Sequence, residues 1–187
     1  MKKLITICLL VVTFVAGAIT MDAKTSSTRV STKTSRTASQ SGSFSITCLL
    51  HKETQYGNTG FMFNSDSKIE AALKKAGFSL KSKKVTKGEI DDGTEGDTAP
   101  GKTIDYVYTK KGITVKWSSY VYDEAPNQPY KDVIEIIFND NAAKDSFIKS
   151  IKSNGYKNDG YGIYRDAADW IYIQVNGKEV TLYGNWE

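Results

Sequence analysis

From Phe44 onward the apolar positions run in two periods. Phe44, Ile46, Cys48 and Leu50 alternate with smaller or polar residues and predict a first strand; "YGNTG" breaks it and "FMF" briefly resumes it. A helix is predicted next. Ser67 and Glu70 have capping-box spacing, and Ile69, Ala72, Leu73 and Ala76 form one apolar stripe that Gly77 ends. "FSLKSKKV" alternates again, with a basic outward face. "TKGEIDDGTEGDTAPGK" loses all period and reads as a loop. "TIDYVYTKKGITVKWSSYVYD" predicts two strands about a turn at Lys111-Gly112, "EAPNQPYK" a second loop, and "DVIEIIF" a buried strand. A second helix begins near Asp140 or Asn141 as N-cap, with Phe147, Ile148 and Ile151 as its stripe and Gly155 as its end. "GYGIYRD" is a weak strand. "WIYIQVNGKEVTLYG" is a hairpin with Asn176-Gly177 suited to a type I′ turn.

"LKKAGF" (73–78) and "IKSNGY" (151–156) share one helix ending. The glycine takes a left-handed C′ position, and the aromatic returns onto the residue five before it, Phe78 on Leu73 and Tyr156 on Ile151. Downstream, "YVYTKKGITVKW" matches "IYIQVNGKEVTL", Gly112 on Gly177 and Val115 on Val180. The expected fold is therefore α+β: two helices on one face of a twisted antiparallel sheet, from a tandem helix-plus-meander duplication with halves 67–138 and 140–187.

The ends of the chain change where it is expected to live. Lys2 and Lys3 followed by apolar Leu4–Val15 and Ala16-Gly17-Ala18 read as a signal peptide over 1–18, with an alternative cut after Ala23. The apolar run is shorter than the ~20 residues of a membrane span, so no transmembrane segment is expected after its removal. Residues 19–43 are rich in Ser and Thr and carry Lys24, Arg29, Lys33 and Arg36, a composition expected to form a disordered basic tail. Of 25 Lys and Arg, six precede Phe44, and of 21 Asp and Glu, one does. The domain from 44 to 187 thus holds 19 bases against 20 acids, and the surplus of +4 belongs to the leader and tail. That tail could adhere to an anionic surface, but it lacks the interleaved aromatics of specific nucleic-acid binding. The expected location is periplasmic or secreted, in a bacterium.

The element order resembles the β-lactamase inhibitor protein architecture and the related PepSY-like domains, over about Ser67–Glu187. The resemblance implies helices on one sheet face and a partner protein gripped by the other, aromatic-rich face. The inhibitor's disulfides have no counterpart, since Cys48 is the one cysteine after the leader.

Candidate chemistry is sparse. Cys48 and His51, in "CLLH", would sit on opposite faces of a strand, so they make no nucleophile pair, and two ligands are too few for zinc. "EIDDGTEGD" has adjacent Asp91 and Asp92 and lacks the alternating carboxylates of a calcium loop. Asp97-Thr98-Ala99 resembles a short O-glycosylation acceptor. Asp166 and Asp169 flank a turn. No phosphate loop, dinucleotide fingerprint or serine elbow is present, and no metal or cofactor is expected. A small hydrolase using acids of Glu89–Asp97 or Asp166 is the alternative reading. The leading one is a non-enzymatic module for a macromolecular partner, most simply a protein. Its candidate sheet-face aromatics are Tyr106, Tyr108, Trp117, Tyr120, Trp170, Tyr172 and Tyr183, with Tyr122, Tyr164 and Trp186 in the same strands or beside them. Alternation leaves open which parity faces out.

Overall fold

The computed structural model describes residues 43–91 and 98–185. The leader, the basic tail, Asp92–Asp97 and Trp186 lie outside these residues.

The fold is α+β. Ten strands follow in order: β1 (Leu50–Gln55), β2 (Asn58–Phe63), β3 (Ser79–Asp91), β4 (Thr98–Lys110), β5 (Ile113–Tyr122), β6 (Val133–Phe138), β7 (Lys157–Asn158), β8 (Ile163–Arg165), β9 (Ile171–Asn176) and β10 (Glu179–Gly184). Helix α1 (Asp66–Lys75) precedes β3, and α2 (Asn141–Ser153) precedes β7. β1 and β2 form a separate hairpin. The other eight make one antiparallel sheet in the order β3-β4-β5-β6-β10-β9-β8-β7. Each set of four strands runs consecutively, and the two sets meet where β6 pairs with β10, Val180 opposite Ile136.

Both helix ends close on a left-handed glycine, Gly77 at φ +87° and Gly155 at φ +97°. At α1 the Phe78 amide donates to Leu73 O (2.9 Å) and Gly77 to Lys74 O (3.0 Å), the paired bonds of a Schellman ending. At α2 Gly155 donates to Lys152 O. Asp140 caps α2, its carboxylate accepting from the amides of Ala142 and Ala143. The Ser67–Glu70 capping box does not form. The cap residue is Ser65, and Glu70 turns to the sheet, where Tyr108 Oη donates to it at 2.6 Å. A charge-assisted bond to a half-buried carboxylate outcompetes the exposed helix end.

Three other expectations change. The first apolar alternation is not a strand throughout: Ile46–Cys48 is a single 3₁₀ turn, and β1 begins at Leu50. Ile46, Leu49 and Leu50 are all buried, which a turn allows and strict alternation does not. The described parts of 86–102, residues 86–91 and 98–102, are strand, because β3 and β4 stay in register from Thr86↔Thr103 to Asp91↔Thr98. Among its described residues, Gly88 and Gly101 pair where β5 ends, and Pro100 lies one step beyond, where it need not donate on its outer side. Finally, the last hairpin turns at Gly177-Lys178, since Asn176 pairs with Glu179. Only Gly177 has positive φ (+58°), so the turn is of the II′ kind. The I′ pattern falls at Tyr56-Gly57, at φ +51° and +84°.

One strand parity builds the core. Tyr106, Tyr108, Val115, Trp117, Ile134, Ile136, Phe138, Ile171, Ile173, Val180 and Leu182 join Ile69 and Leu73 of α1 and Phe147 and Ile151 of α2. Phe44 leads the chain into it, stacked on Phe147 at 4.8 Å and tilted on Phe78 at 4.9 Å. Each fully buried Ile, Leu or Phe contributes about 1.5–3 kcal/mol.

Candidate functional site

The structure separates the predicted aromatics. Tyr106, Tyr108 and Trp117 are 4, 0 and 3 % exposed and belong to the core. They stack on one another, Trp117 lying 4.5 Å from Tyr106 and 5.7 Å from Tyr108 between ring centroids. Their rings lie in the core cluster rather than on an open face. The reason is polar as well as apolar: α1 supplies acceptors for their ring-edge donors, Glu70 for Tyr108 and Asp66 for Trp117 Nε1 (3.0 Å). Trp170 sits in the β8–β9 connection, not on a strand. Its ring closes over Gly60 of β2, where an added Cβ would fall 2.8 Å from Trp170 Cε3.

Tyr120, Tyr172 and Tyr183 lie on the other parity, half-buried by strand neighbours. Tyr172 and Tyr183 are directly opposite on β9 and β10 and stack at 4.9 Å, 16° between planes. The Arg165 guanidinium covers Tyr172, its Cζ 4.9 Å from the ring centroid. That gives a cation, two rings and then Val133 in one row across β8, β9, β10 and β6. Tyr120 begins a second group. It stacks on Tyr130 of the β5–β6 loop at 5.0 Å, and Tyr130 stacks on Tyr122 at 5.6 Å. The hydroxyls of Tyr122 and Tyr130 both donate to Asp91 O, fastening the loop to the β3–β4 arm.

Between the two groups is a depression of ≈ 260 Å³ lined by Asp105, Val107, Lys116, Ser118, Tyr120, Asp132, Val133 and Glu135. Its charges are arranged in the register: Lys116 faces Glu135 across β5–β6 (3.8 Å), and Ser118 donates to Asp105 across β4–β5 (2.7 Å). Burial, then the nearby charges of Asp132 and Asp105, push the Tyr120 phenol above its ordinary pKa, so it stays a neutral donor at physiological pH. The face combines flat aromatic area with hydrogen-bonding groups of both signs. No nucleophile–base pair is assembled there.

A second polar cluster staples α1 to the sheet. Asp66 accepts from Trp117, from Ser119 (2.7 Å) and from Lys131 (3.2 Å), and Lys131, only 4 % exposed, also donates to Asn64 O. Sequence reasoning missed it, because Lys131 and Asp66 are 65 positions apart and lie in a loop and at a helix start.

The remaining described candidates are engaged as follows. Cys48 is buried in its turn. His51 pairs with Glu53. Both Asp166 oxygens are engaged by backbone amides, of Phe61 (3.2 Å) and Asp169 (2.8 Å), and Asp169 pairs with Arg165. Beside them Tyr156 keeps its proton: burial, then the charges of Asp166 and Asp169, raise its pKa. Glu89 accepts from Thr98, and Asp91 is the acceptor carbonyl named above. Among the described residues no three His, Cys, Asp or Glu side chains converge on a metal position, and no helix is long and apolar enough to cross a membrane. Comparison with protein-family models, curated proteins and solved structures finds no match.

Proposed function

We propose that this chain is an exported, non-enzymatic binding module that holds a macromolecular partner, most simply a protein, on the sheet face opposite its core. The observation that carries this is the Arg165–Tyr172–Tyr183 row. Rigid aromatic rings with an arginine above them are the residue types that dominate binding energy at interfaces. Tyr120 and the adjoining depression extend the surface by one strand pair.

The finer architecture belongs to the same reading. Both helices cover the core parity, α1 through Glu70 and Asp66, α2 through Phe147 on Phe138 at 5.7 Å, which leaves the other parity free for a partner. The order helix-then-four-strands, used twice, supports an internal duplication whose halves meet at β6–β10. Counted by strands, β9–β10 then corresponds to β5–β6, not to the hairpin that turns at Gly112. The kinship with inhibitor-like and PepSY-like domains and the export by residues 1–18 rest on sequence.

The test is capture of envelope proteins by the mature chain, by Tyr172→Ala/Tyr183→Ala, and by a chain lacking 24–43. The face is the site if the double variant, folded by circular dichroism, loses the captured protein while the truncation keeps it. Unchanged capture by the double variant would sink the proposal.

A further inference from the structure

The β1–β2 hairpin carries donor groups that the open sheet face does not use. His51 of β1 and Met62 of β2 are directly opposite in the antiparallel register. Their side chains therefore leave the hairpin on one face, with Cβ atoms about 4.5–5.5 Å apart. His51 is the only histidine of the chain, and Met62 the only methionine among the described residues; both are half-buried. Glu53, two positions beyond His51, lies on the same face opposite Gly60. At Gly60 that face meets the β8–β9 connection, where an added Cβ would fall 2.5 Å from Ala168 Cβ.

The imidazole is held from one side only. His51 Nε2 lies 3.0 Å from Glu53 Oε2 and donates its proton to that carboxylate. Nδ1 is then left with a bare lone pair. It is buried, yet it has no hydrogen-bond partner among the described residues. A buried ring nitrogen in a purely structural histidine is ordinarily hydrogen-bonded. One nitrogen fixed by a carboxylate and the other kept free is the arrangement of a metal-ligating histidine with its orienting partner.

We propose that His51 Nδ1 and Met62 Sδ bind a soft monovalent metal ion, copper(I), across the β1–β2 hairpin. The donor set selects the ion. A thioether is a soft, uncharged ligand that suits copper(I) and holds harder divalent ions poorly. Zinc takes four ligands drawn from thiolates, imidazoles and carboxylates, and here one imidazole is in place. Closed-shell copper(I) accepts a two-donor pair. The Glu53 charge, reached through the imidazole, offsets the single positive charge of the ion. With a thioether as second donor the site needs no cluster of His, Cys, Asp and Glu, and none is present among the described residues. None of these residues belongs to the Arg165–Tyr172–Tyr183 row, so the site stands or falls independently of the proposed function.

Titration with copper(I) tests it. The ion, kept reduced by ascorbate without oxygen, is added to the chain against the chelator bicinchoninate, and the isotope-labelled methionine methyls and the His51 ring are followed by NMR. One equivalent should bind, shifting the Met62 methyl and the His51 ring together while the Met21 methyl stays in place. Met62→Leu, which conserves side-chain volume, and His51→Gln should each weaken binding about a hundredfold or more; Glu53→Ala, which frees the tautomer, should weaken it about tenfold. All three should keep the wild-type circular dichroism. Zinc at the same concentration should move neither resonance, and Tyr172→Ala/Tyr183→Ala should bind copper(I) as wild type does. An unmoved Met62 methyl, folded variants that bind as tightly as wild type, or zinc held in preference to copper(I) would each overturn the proposal.

Discussion

Replacing Asp66 by alanine should be among the most damaging single changes in this domain. Three donors converge on that carboxylate: Trp117 Nε1 at 3.0 Å, Ser119 Oγ at 2.7 Å and Lys131 Nζ at 3.2 Å. Ser119 is fully buried and Lys131 is 4 % exposed, so neither turns to water when its acceptor goes. Removing one partner of a buried ion pair costs about 3–5 kcal/mol, mostly as the stranded charge. For a domain of this size that lowers the melting temperature by roughly 10 °C. Lys131 keeps Asn64 O at 3.0 Å, which holds the cost toward the lower end of that range. Adding Lys131→Met should then recover about 2 kcal/mol, since an apolar side chain no longer needs the anion. Urea unfolding of wild type, both single variants and the double variant closes the cycle. The reasoning fails if Asp66→Ala costs less than about 1 kcal/mol, or if the two changes add without coupling.

Alkali should unfold the protein cooperatively. The folded pKa values of Tyr106, Tyr108, Tyr120, Tyr130 and Tyr156 lie above the ordinary tyrosine value of 10.0, burial being the first cause in each. The folded state binds these protons more tightly, so their stabilisation is complete below pH ~10 and is lost as pH rises above it. The share of phenolate absorbance that belongs to these five tyrosines should appear with unfolding, not before it; their ionisation in a protein that stays folded would contradict this. Gly77→Ala and Gly155→Ala each force a Cβ into left-handed backbone and should cost about 1 kcal/mol in urea unfolding. Gly60→Ala places a Cβ 2.5 Å from that of Ala168 and should cost about 1–3 kcal/mol; no loss would mean the β1–β2 hairpin does not dock on that connection.

Local signals were legible where one residue type has one conformational use. Gly77, Gly155 and Asp140 declared the helix ends, and Val, Ile and Tyr alternation declared β4, β5, β9 and β10. Pairing partners were less so: Thr86–Lys102 looks like loop because Gly and Pro weaken strand propensity, yet Thr86–Asp91 and Thr98–Lys102 are paired as β3 and β4. Alternation shows which side chains share a face, not which face is covered. Tyr106 and Tyr172 are equivalent in pattern; α1, placing Glu70 and Asp66 over β4 and β5, decides that the first is core. The β6–β10 junction, on which the whole sheet depends, leaves no local trace at all.

Site-specific photo-crosslinking tests the binding face most directly. A benzophenone amino acid would replace Tyr172 or Tyr183 on the sheet face, and Lys68 or Lys152 on the exposed sides of α1 and α2. In the native envelope, adducts to one partner should form from 172 and 183 and not from 68 and 152. Adducts from the helix positions alone would contradict the account.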